Sequence, residues 1–139
     1  MSDEPDYASL ARFRFILRKF LAFSAKQARA AGLEPRQHQL LLSLSGLPAD
    51  TPPTIGTVAE QLLIRHHSAV ELVDRMEKKG LVRRVAADRD RRAVLVRITP
   101  RGRSLLRRLA VAHRDELREN GPALVAALER VLVDKKGRR

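Results

Sequence analysis

The chain of 139 residues contains no cysteine and no tryptophan, and it has only one tyrosine and four phenylalanines. Without cysteine, a disulfide scaffold, a cysteine-based zinc module and a thiol redox sensor are excluded. No unbroken apolar run approaches the roughly 18 to 20 residues that a helix needs to span a bilayer. The acidic start, MSDEPDY, is the reverse of a secretory signal. We therefore expect a cytoplasmic protein that does not span a membrane.

The sequence also lacks the patterns of a catalytic or metal site. Its seven glycines are scattered, so no glycine-rich loop is available to cradle a phosphate. The four histidines have no H-E-x-x-H spacing, and the adjacent His66 and His67 would point about 100° apart on a helix. We predict no enzyme activity, no metal and no cofactor.

Positive charge is what the chain has in excess, with 28 Lys and Arg against 16 Asp and Glu and a net charge of +12. Residues 65–108 hold 14 basic and five acidic side chains, a net of +9, whereas residues 1–64 carry +1 and residues 109–139 carry +2. This excess implies an acidic partner, either nucleic acid or an anionic membrane surface. Because the excess lies in the middle of the chain and not on an amphipathic membrane-binding face, we expect nucleic acid and no membrane partner. Because 44% of the residues are apolar, a single packed domain is expected rather than a disordered chain.

Hydrophobic periodicity predicts helices toward both ends of the chain. The first is expected over 9–31, closed by Gly32, and the second over 35–46. After the middle of the chain, a helix is predicted from Pro100, behind the N-cap Thr99, to about residue 119. Asn120-Gly121-Pro122 is then predicted to break it, and a last helix is expected over 122–133.

The middle of the chain predicts a helix-turn-helix followed by a β-hairpin. Thr54 fits the N-cap of a short helix over 55–62, although Thr57 to Glu60 also fits a capping box. After a break at 63–65, a helix over 66–79 carries an apolar stripe that consists of Ala69, Leu72, Val73 and Met76. Two β-branched segments, 81–86 and 93–99, then flank a charged loop. The order predicts a winged helix-turn-helix: mainly α, with a small β-hairpin wing and extra helices at both ends.

A recognition helix presents the side chains near its N-terminal end to base edges in the major groove. The candidates lie opposite the apolar stripe or beside it: Arg65, His66, His67, Ser68, Val70, Glu71 and Arg75. Glu71 is unexpected there, because a carboxylate either accepts a hydrogen bond from cytosine or is repelled by phosphate. The alternative interpretation is that the histidines only begin a helix whose outer face is solvated.

The predicted wing is stronger electrostatic evidence for DNA binding than the predicted recognition helix. Arg89, Arg91 and Arg92 stand at its tip, where guanidinium groups can enter a narrow minor groove. Asp88 and Asp90 are expected to brace these arginines by ion pairing. The alternative is a hairpin tip kept polar for solubility. Further contacts, to phosphates, are expected from Thr54, Lys78, Arg83, Arg84 and Arg97.

The segments TIGTVAEQLLIRHHSAVELVDRMEKKGLVRR (54–84) and DRDRRAVLVRITPRG (88–102) resemble the MarR family of bacterial transcriptional regulators. The resemblance covers about 50 residues densely, and the order of flanking helices agrees over nearly the whole chain. The chain departs from the family pattern at Ala87, where the wing motif has aspartate, and at Glu71, which is often basic or small in relatives.

The resemblance implies a homodimer that reads a pseudo-palindromic operator in double-stranded DNA, as a repressor. The helices of 8–47 and 100–134 would form the dimerisation region, and 54–99 the DNA-binding lobe, with the helix-turn-helix over 55–79 and the wing over 81–98. Many relatives release DNA on binding a small phenolic or aromatic-acid ligand. The candidate liners of such a pocket are Phe15, Lys19 and His38, for which ordinary packing or a solvated charge is the alternative.

Two other functions remain open. One is a non-specific architectural or RNA-binding protein, which the basic middle would suit. All five aromatic side chains, however, lie between residues 7 and 23, so no stacking platform for single strands lies near the basic surface. The other is a winged module for protein interaction, which would not need three arginines at the wing tip.

Overall fold

A computed structural model describes residues 3–87 and 93–133 of the chain. The described part contains, in order, α1 (Tyr7–Ala30), α2 (Pro35–Gly46), α3 (Ile55–Leu62), α4 (His66–Lys78), β1 (Val82–Ala86), β2 (Val94–Ile98) and α5 (Pro100–Leu132). β1 and β2 pair antiparallel, with Val82 opposite Ile98. This arrangement confirms the predicted mainly α fold with a small β-hairpin. No described helix is both long and apolar enough to cross a membrane.

Short polar side chains and one glycine set the ends of the helices. The carboxylate of Asp6 accepts hydrogen bonds from the backbone and the hydroxyl of Ser9, at 3.1 and 2.7 Å, and starts α1. Gly32 follows α1 with a φ of +82°, as predicted for a left-handed helix end. Thr54 is the N-cap of α3, because its Oγ1 accepts a hydrogen bond from the amide of Thr57 at 3.1 Å.

The prediction of a break near residue 121 is wrong: α5 is one helix of 33 residues with Pro122 inside it. Proline removes one helical hydrogen bond, but its ring is exposed here, so water can reach the carbonyl of Arg118 that loses its partner. Gly121 has no Cβ to collide with the proline ring. Just before the proline, the side-chain amide of Asn120 donates to Glu116 at 2.8 Å and ties one turn to the next.

The chain divides into two compact units. The winged unit is residues 28–109, and the helical unit is formed by residues up to 27 together with those from 110 onward. In the winged unit, the predicted stripe of α4 is buried as expected, with Ala69, Val73 and Met76 fully inaccessible. Leu40 and Leu41 of α2 are fully buried in the same core cluster. Burial of each such large side chain stabilises the fold by about 1.5–3 kcal/mol, so this core anchors α4.

In the helical unit, one histidine joins α1 to α5. The Nε2 of His113 lies 2.8 Å from the hydroxyl of Ser24. The rings of Phe20 and Phe23 meet the imidazole edge-on, at centroid distances of 6.0 and 5.4 Å. A half-buried polar ring that is hydrogen-bonded and meets two aromatic rings edge-on fixes the register of the two helices.

Candidate nucleic-acid interface

The turn between α3 and α4 spans three residues and contains an unusual backbone conformation. Leu63 adopts the left-handed region, with φ 55° and ψ 45°, and its side chain is 92% exposed. The amides of Leu63 and Ile64 donate to the carbonyls of Glu60 and Ala59, at 3.2 and 3.0 Å, and so close the end of α3. This short turn ends α3 and leaves the first residues of α4 exposed.

The outer face of α4 carries the predicted base-contact residues. Arg65 precedes the helix in an extended conformation, and its side chain makes no capping hydrogen bond. The side chains of His66 and His67 are exposed at the first turn, and Glu71 and Arg75 are exposed further along. Ser68 and Val70 are half-buried.

One edge of this face borders α2. Ser68, Glu71 and Arg75 recur at helical spacing, and they line a groove whose other wall includes Arg36 and Gln39. The predicted base-contact residues therefore form two groups, one on the open face around His67 and the other along this groove. Glu71 lies on the groove side, beside cationic Arg75 one turn away.

The other edge of α4 is tied to the hairpin by an ion-pair cluster. The guanidinium of Arg84, on β1, lies 2.6 Å from a carboxylate oxygen of Asp74 and 2.7 Å from one of Glu77. The amide of Arg84 also donates to Glu77 at 3.0 Å. That backbone hydrogen bond, together with the guanidinium, holds the pKa of Glu77 below its ordinary value.

The sequence predicts a phosphate contact at Arg84 and does not predict an ion pair at Glu77. Asp74 and Glu77 both belong to α4 and bind the guanidinium of Arg84, so this cluster holds β1 against α4. The signal available in the sequence was the pair of acids at i and i+3 on α4, shortly before a strand that begins with arginines.

The hairpin presents a second pair of cations to solvent. Arg83 and Arg97 are exposed and lie directly opposite each other on β1 and β2. Within the described part of the chain, neither has a carboxylate partner. Like charges in this position repel each other, and a bound phosphate would relieve the repulsion.

Behind the hairpin, the amide of Val96 donates to the carbonyl of Pro53 at 2.8 Å, and Thr54 bridges to Leu95. Thr54, a predicted phosphate contact, therefore lies beside β2. The predicted tip residues lie outside the described residues: Asp88, Arg89, Asp90, Arg91 and Arg92.

The structure brings together two of the three predicted ligand-pocket residues. The Nζ of Lys19 lies 5.6 Å from the ring centroid of Phe15, and Lys19 also lines a pocket of about 160 Å³ with Phe20 and Leu124. His38 belongs to the winged unit, where it is 98% buried next to Gln39. Among the described residues, no group of three or more His, Cys, Asp or Glu could hold a metal ion.

Comparison with known proteins is consistent with this geometry. Residues 31–93 match the model of the MarR family. The transcriptional activatory protein BadR of Rhodopseudomonas palustris is 33% identical over 85 residues, which cover 61% of this chain and 49% of BadR. The chain spans about half the length of the curated relatives it matches. The names of both curated relatives describe transcriptional regulation.

Solved structures share the fold over nearly the whole chain. AbsC, a MarR family transcriptional regulator from Streptomyces coelicolor, has a TM-score of 0.74 at 21% identity, with 95% of this chain and 91% of AbsC covered. A mutant of S. aureus MepR bound to an oligodeoxyribonucleotide has a TM-score of 0.68 at 20% identity, with 93% and 97% covered. In its matched central segment and in its winged helix fold, the chain is similar to the MarR family.

Proposed function

We propose that the chain is a sequence-specific DNA-binding transcriptional regulator, which acts as a homodimer on a palindromic operator and represses transcription. The observation that carries this proposal is the arrangement of α4. Its apolar stripe is anchored in the core, while His66 and His67 at its first turn are exposed. Neither histidine has a hydrogen-bond or ion-pair partner among the described residues, as expected of side chains that bind base edges.

The contacts divide by type. His67 reads a base edge in the major groove, and Val70 packs on a thymine methyl. Arg83 and Arg97 bind phosphates, which hold the protein in register but carry no sequence information. The arginines of the wing tip, Arg89, Arg91 and Arg92, extend this contact into the minor groove.

Dimerisation is supported by apolar surface on the helical unit. Several large side chains of α1 and α5 are exposed there, namely Phe15, Leu21, Leu117, Val125, Leu128 and Leu132. A monomer would leave this apolar surface in water, whereas a second copy of the chain would cover it. A two-fold axis then places the two recognition helices roughly 34–36 Å apart, one turn of DNA.

Release by a small aromatic acid is part of the proposal. The pocket of the helical unit combines an apolar wall, formed by Ile16, Phe20 and Leu124, with the ammonium group of Lys19. Glu116 also lines it, and its carboxylate accepts a hydrogen bond from Asn120 at 2.8 Å. An aromatic ring fits the wall, and a carboxylate fits the ammonium group. Benzoate and salicylate are suitable first probes, with operator release as the readout.

Operator selection from a random DNA pool, followed by fluorescence anisotropy, tests the proposal. We expect a selected palindrome to bind at least about 1,000-fold more tightly than random DNA at physiological salt. Equal affinity for both would refute sequence-specific recognition and would favour the non-specific architectural alternative.

Two variants separate base contacts from phosphate contacts. His67→Ala should change the preferred base at one position of each half-site, whereas Arg83→Ala should weaken binding to all sequences and reduce the salt slope by about 1. Arg107→Ala, an exposed site on α5, is the matched control and should change neither. If His67→Ala leaves base preference intact, α4 does not read bases through this residue.

A reporter gene behind the selected operator decides the sign of regulation. Repression predicts higher expression when the regulator is deleted. Lower expression would identify an activator, the role printed in the name of BadR.

A further inference from the structure

A groove of about 690 Å³ lies in the winged unit, between the end of α4, the turn after α1 and the first turns of α5. Four cationic side chains line it, Lys78, Lys79, Arg101 and Arg108, and no carboxylate does. Its volume falls within the range of small-molecule sites, about 300–1,000 Å³.

The two walls of the groove come from different helices. On α5, Arg101, Ser104, Leu105 and Arg108 are spaced at i, i+3, i+4 and i+7, so they share one face of the helix. Lys78 and Lys79, at the end of α4, form the opposite wall. Cations therefore stand on both sides of the same groove.

None of these positive charges is cancelled by an acid in the described part of the chain. Lys79 donates to the carbonyl of Gly32 at 2.9 Å and to Oε1 of Gln37 at 3.0 Å. Arg101 donates to the carbonyl of Lys79 at 3.3 Å. These acceptors are neutral, so they orient the cations and leave the charge uncompensated. Lys78 and Arg108 make no ion pair with any described residue.

A purely structural account explains only part of this cluster. Lys78 and Lys79 stabilise the negative end of the α4 dipole, and Arg101 satisfies a terminal carbonyl of that helix. Arg108 lies two turns further along α5, about 10 Å from Arg101 along the helix axis, and is not at a helix end. Its position opposite two lysines adds repulsion, which a bound anion would relieve.

The groove lies away from the residues at the start of α4 that are proposed to read bases. From His66 to Lys78, α4 rises about 18 Å, so the groove is at the helix end remote from the major groove. From the Val82–Ile98 pair, where the hairpin begins, its strands run about 14 Å toward the wing tip. The first turn of α4 and the loop end of the hairpin therefore lie away from the groove, whereas the candidate phosphate contacts Lys78, Arg83 and Arg97 lie nearer to it. The operator affinity of Arg108→Ala decides whether the operator backbone occupies the groove.

We propose that this groove binds a small polyanion that carries two or more phosphate groups. The cations of the two walls hold the phosphates, and the apolar side chains of Leu33, Leu81 and Leu105 receive the uncharged part of the molecule. The location of the groove relative to DNA rests on the proposed function, but the binding of the anion does not.

Isothermal titration of the full chain with inorganic tripolyphosphate, in the absence of DNA, tests the proposal directly. We expect saturable binding by the wild type. Arg108→Ala should weaken it by about five- to tenfold, because a charge-assisted hydrogen bond is lost. The matched control is Arg107→Ala, which removes the same charge from the neighbouring exposed position of α5 outside the groove, and it should stay within about twofold of the wild type. Both positions are exposed, and equal melting temperatures will show that both variants fold.

Three results would overturn the proposal: no binding at millimolar tripolyphosphate, an equal loss in the two arginine variants, or a loss of operator affinity in Arg108→Ala as large as that in Arg83→Ala. The last result would make the groove a DNA phosphate contact. Operator binding by the wild type is measured separately, so a failure of the groove is distinguishable from a failure of the proposed function.

Discussion

Among the glycines of the winged unit, Gly102 permits the closest approach of another backbone segment, so its replacement by alanine is the sharpest test of the packing. Gly102 lies in the first turn of α5, where its amide donates to the hydroxyl of Thr99 at 3.1 Å. A Cβ at this position would lie 2.2 Å from the carbonyl oxygen of Leu81 and 3.0 Å from Cγ1 of Ile98. The Leu81 oxygen also accepts a hydrogen bond from the amide of Thr99 at 3.0 Å, so it cannot move without weakening that bond.

The steric overlap of an added Cβ outweighs the gain in helix propensity. Alanine is favoured over glycine in a helix by up to about 1 kcal/mol. A carbon and a carbonyl oxygen normally stay about 3.3 Å apart or more, so the backbone must shift by about 1 Å. Such overpacking costs about 1–3 kcal/mol, and the weakened Thr99 hydrogen bond adds up to about 1 kcal/mol. We therefore expect Gly102→Ala to lower the free energy of unfolding by about 1–3 kcal/mol, or the melting temperature by about 3–10 °C.

Urea denaturation followed by circular dichroism at 222 nm measures this change. Gly56→Ala is the matched control, because Gly56 lies in the first turn of α3 and an added Cβ there would meet only Oγ1 of Thr54, at 3.7 Å. The control should be neutral or more stable by up to about 1 kcal/mol. If Gly102→Ala were as stable as the control, the close approach of α5 to Leu81 would not exist as described.

Two further predictions concern stability. Leu63→Asn should raise the free energy of unfolding by about 0.5–1 kcal/mol, because asparagine tolerates the left-handed conformation and Leu63 is 92% exposed. Thermal melting measures this change. A lower melting temperature would show that the Leu63 side chain makes a stabilising contact. Glu77 has a pKa below its ordinary value of 4.5, so its contribution to stability is complete above that value and is lost as pH falls through the lower pKa of the folded state. Between about pH 6 and pH 3, the free energy of unfolding should therefore fall less steeply for Glu77→Gln than for the wild type. Glu60→Gln, at an exposed position of α3, should follow the wild type. Equal slopes for Glu77→Gln and Glu60→Gln would contradict a stabilising contact between Glu77 and Arg84.

The helix-turn-helix was predictable almost residue by residue. The bounds of α3 and the start of α4 agree with the prediction, and the stripe from Ala69 to Met76 is buried as its spacing required. These features depend on local signals, namely a capping hydroxyl at Thr54 and apolar side chains that recur with the period of the helix. Burial of the stripe follows from the period alone, because only one face of a short helix can pack against the core.

Pro122 shows where local reasoning fails. Proline inside a helix costs about 3 kcal/mol on average, and that average predicted a break. The cost depends on surroundings, however, and here the ring is exposed, the preceding residue is glycine, and Asn120 bonds to Glu116 across the same turn. These features lower the cost of proline at this position, and α5 continues through it.

The order of elements, the buried face of α4 and the concentration of charge between residues 65 and 108 can be predicted from the sequence, because each depends on neighbours along the chain. The role of each cation depends on contacts that form only when the chain folds. Arg83 and Arg84 are adjacent, yet side chains alternate across a strand, so one faces solvent and the other meets Asp74 and Glu77. Likewise, nothing in the sequence distinguishes Arg108 from the other basic residues, whereas in the structure it lies across a groove from Lys78. Charge can be counted in a sequence, but its partners are fixed by distances that only folding creates.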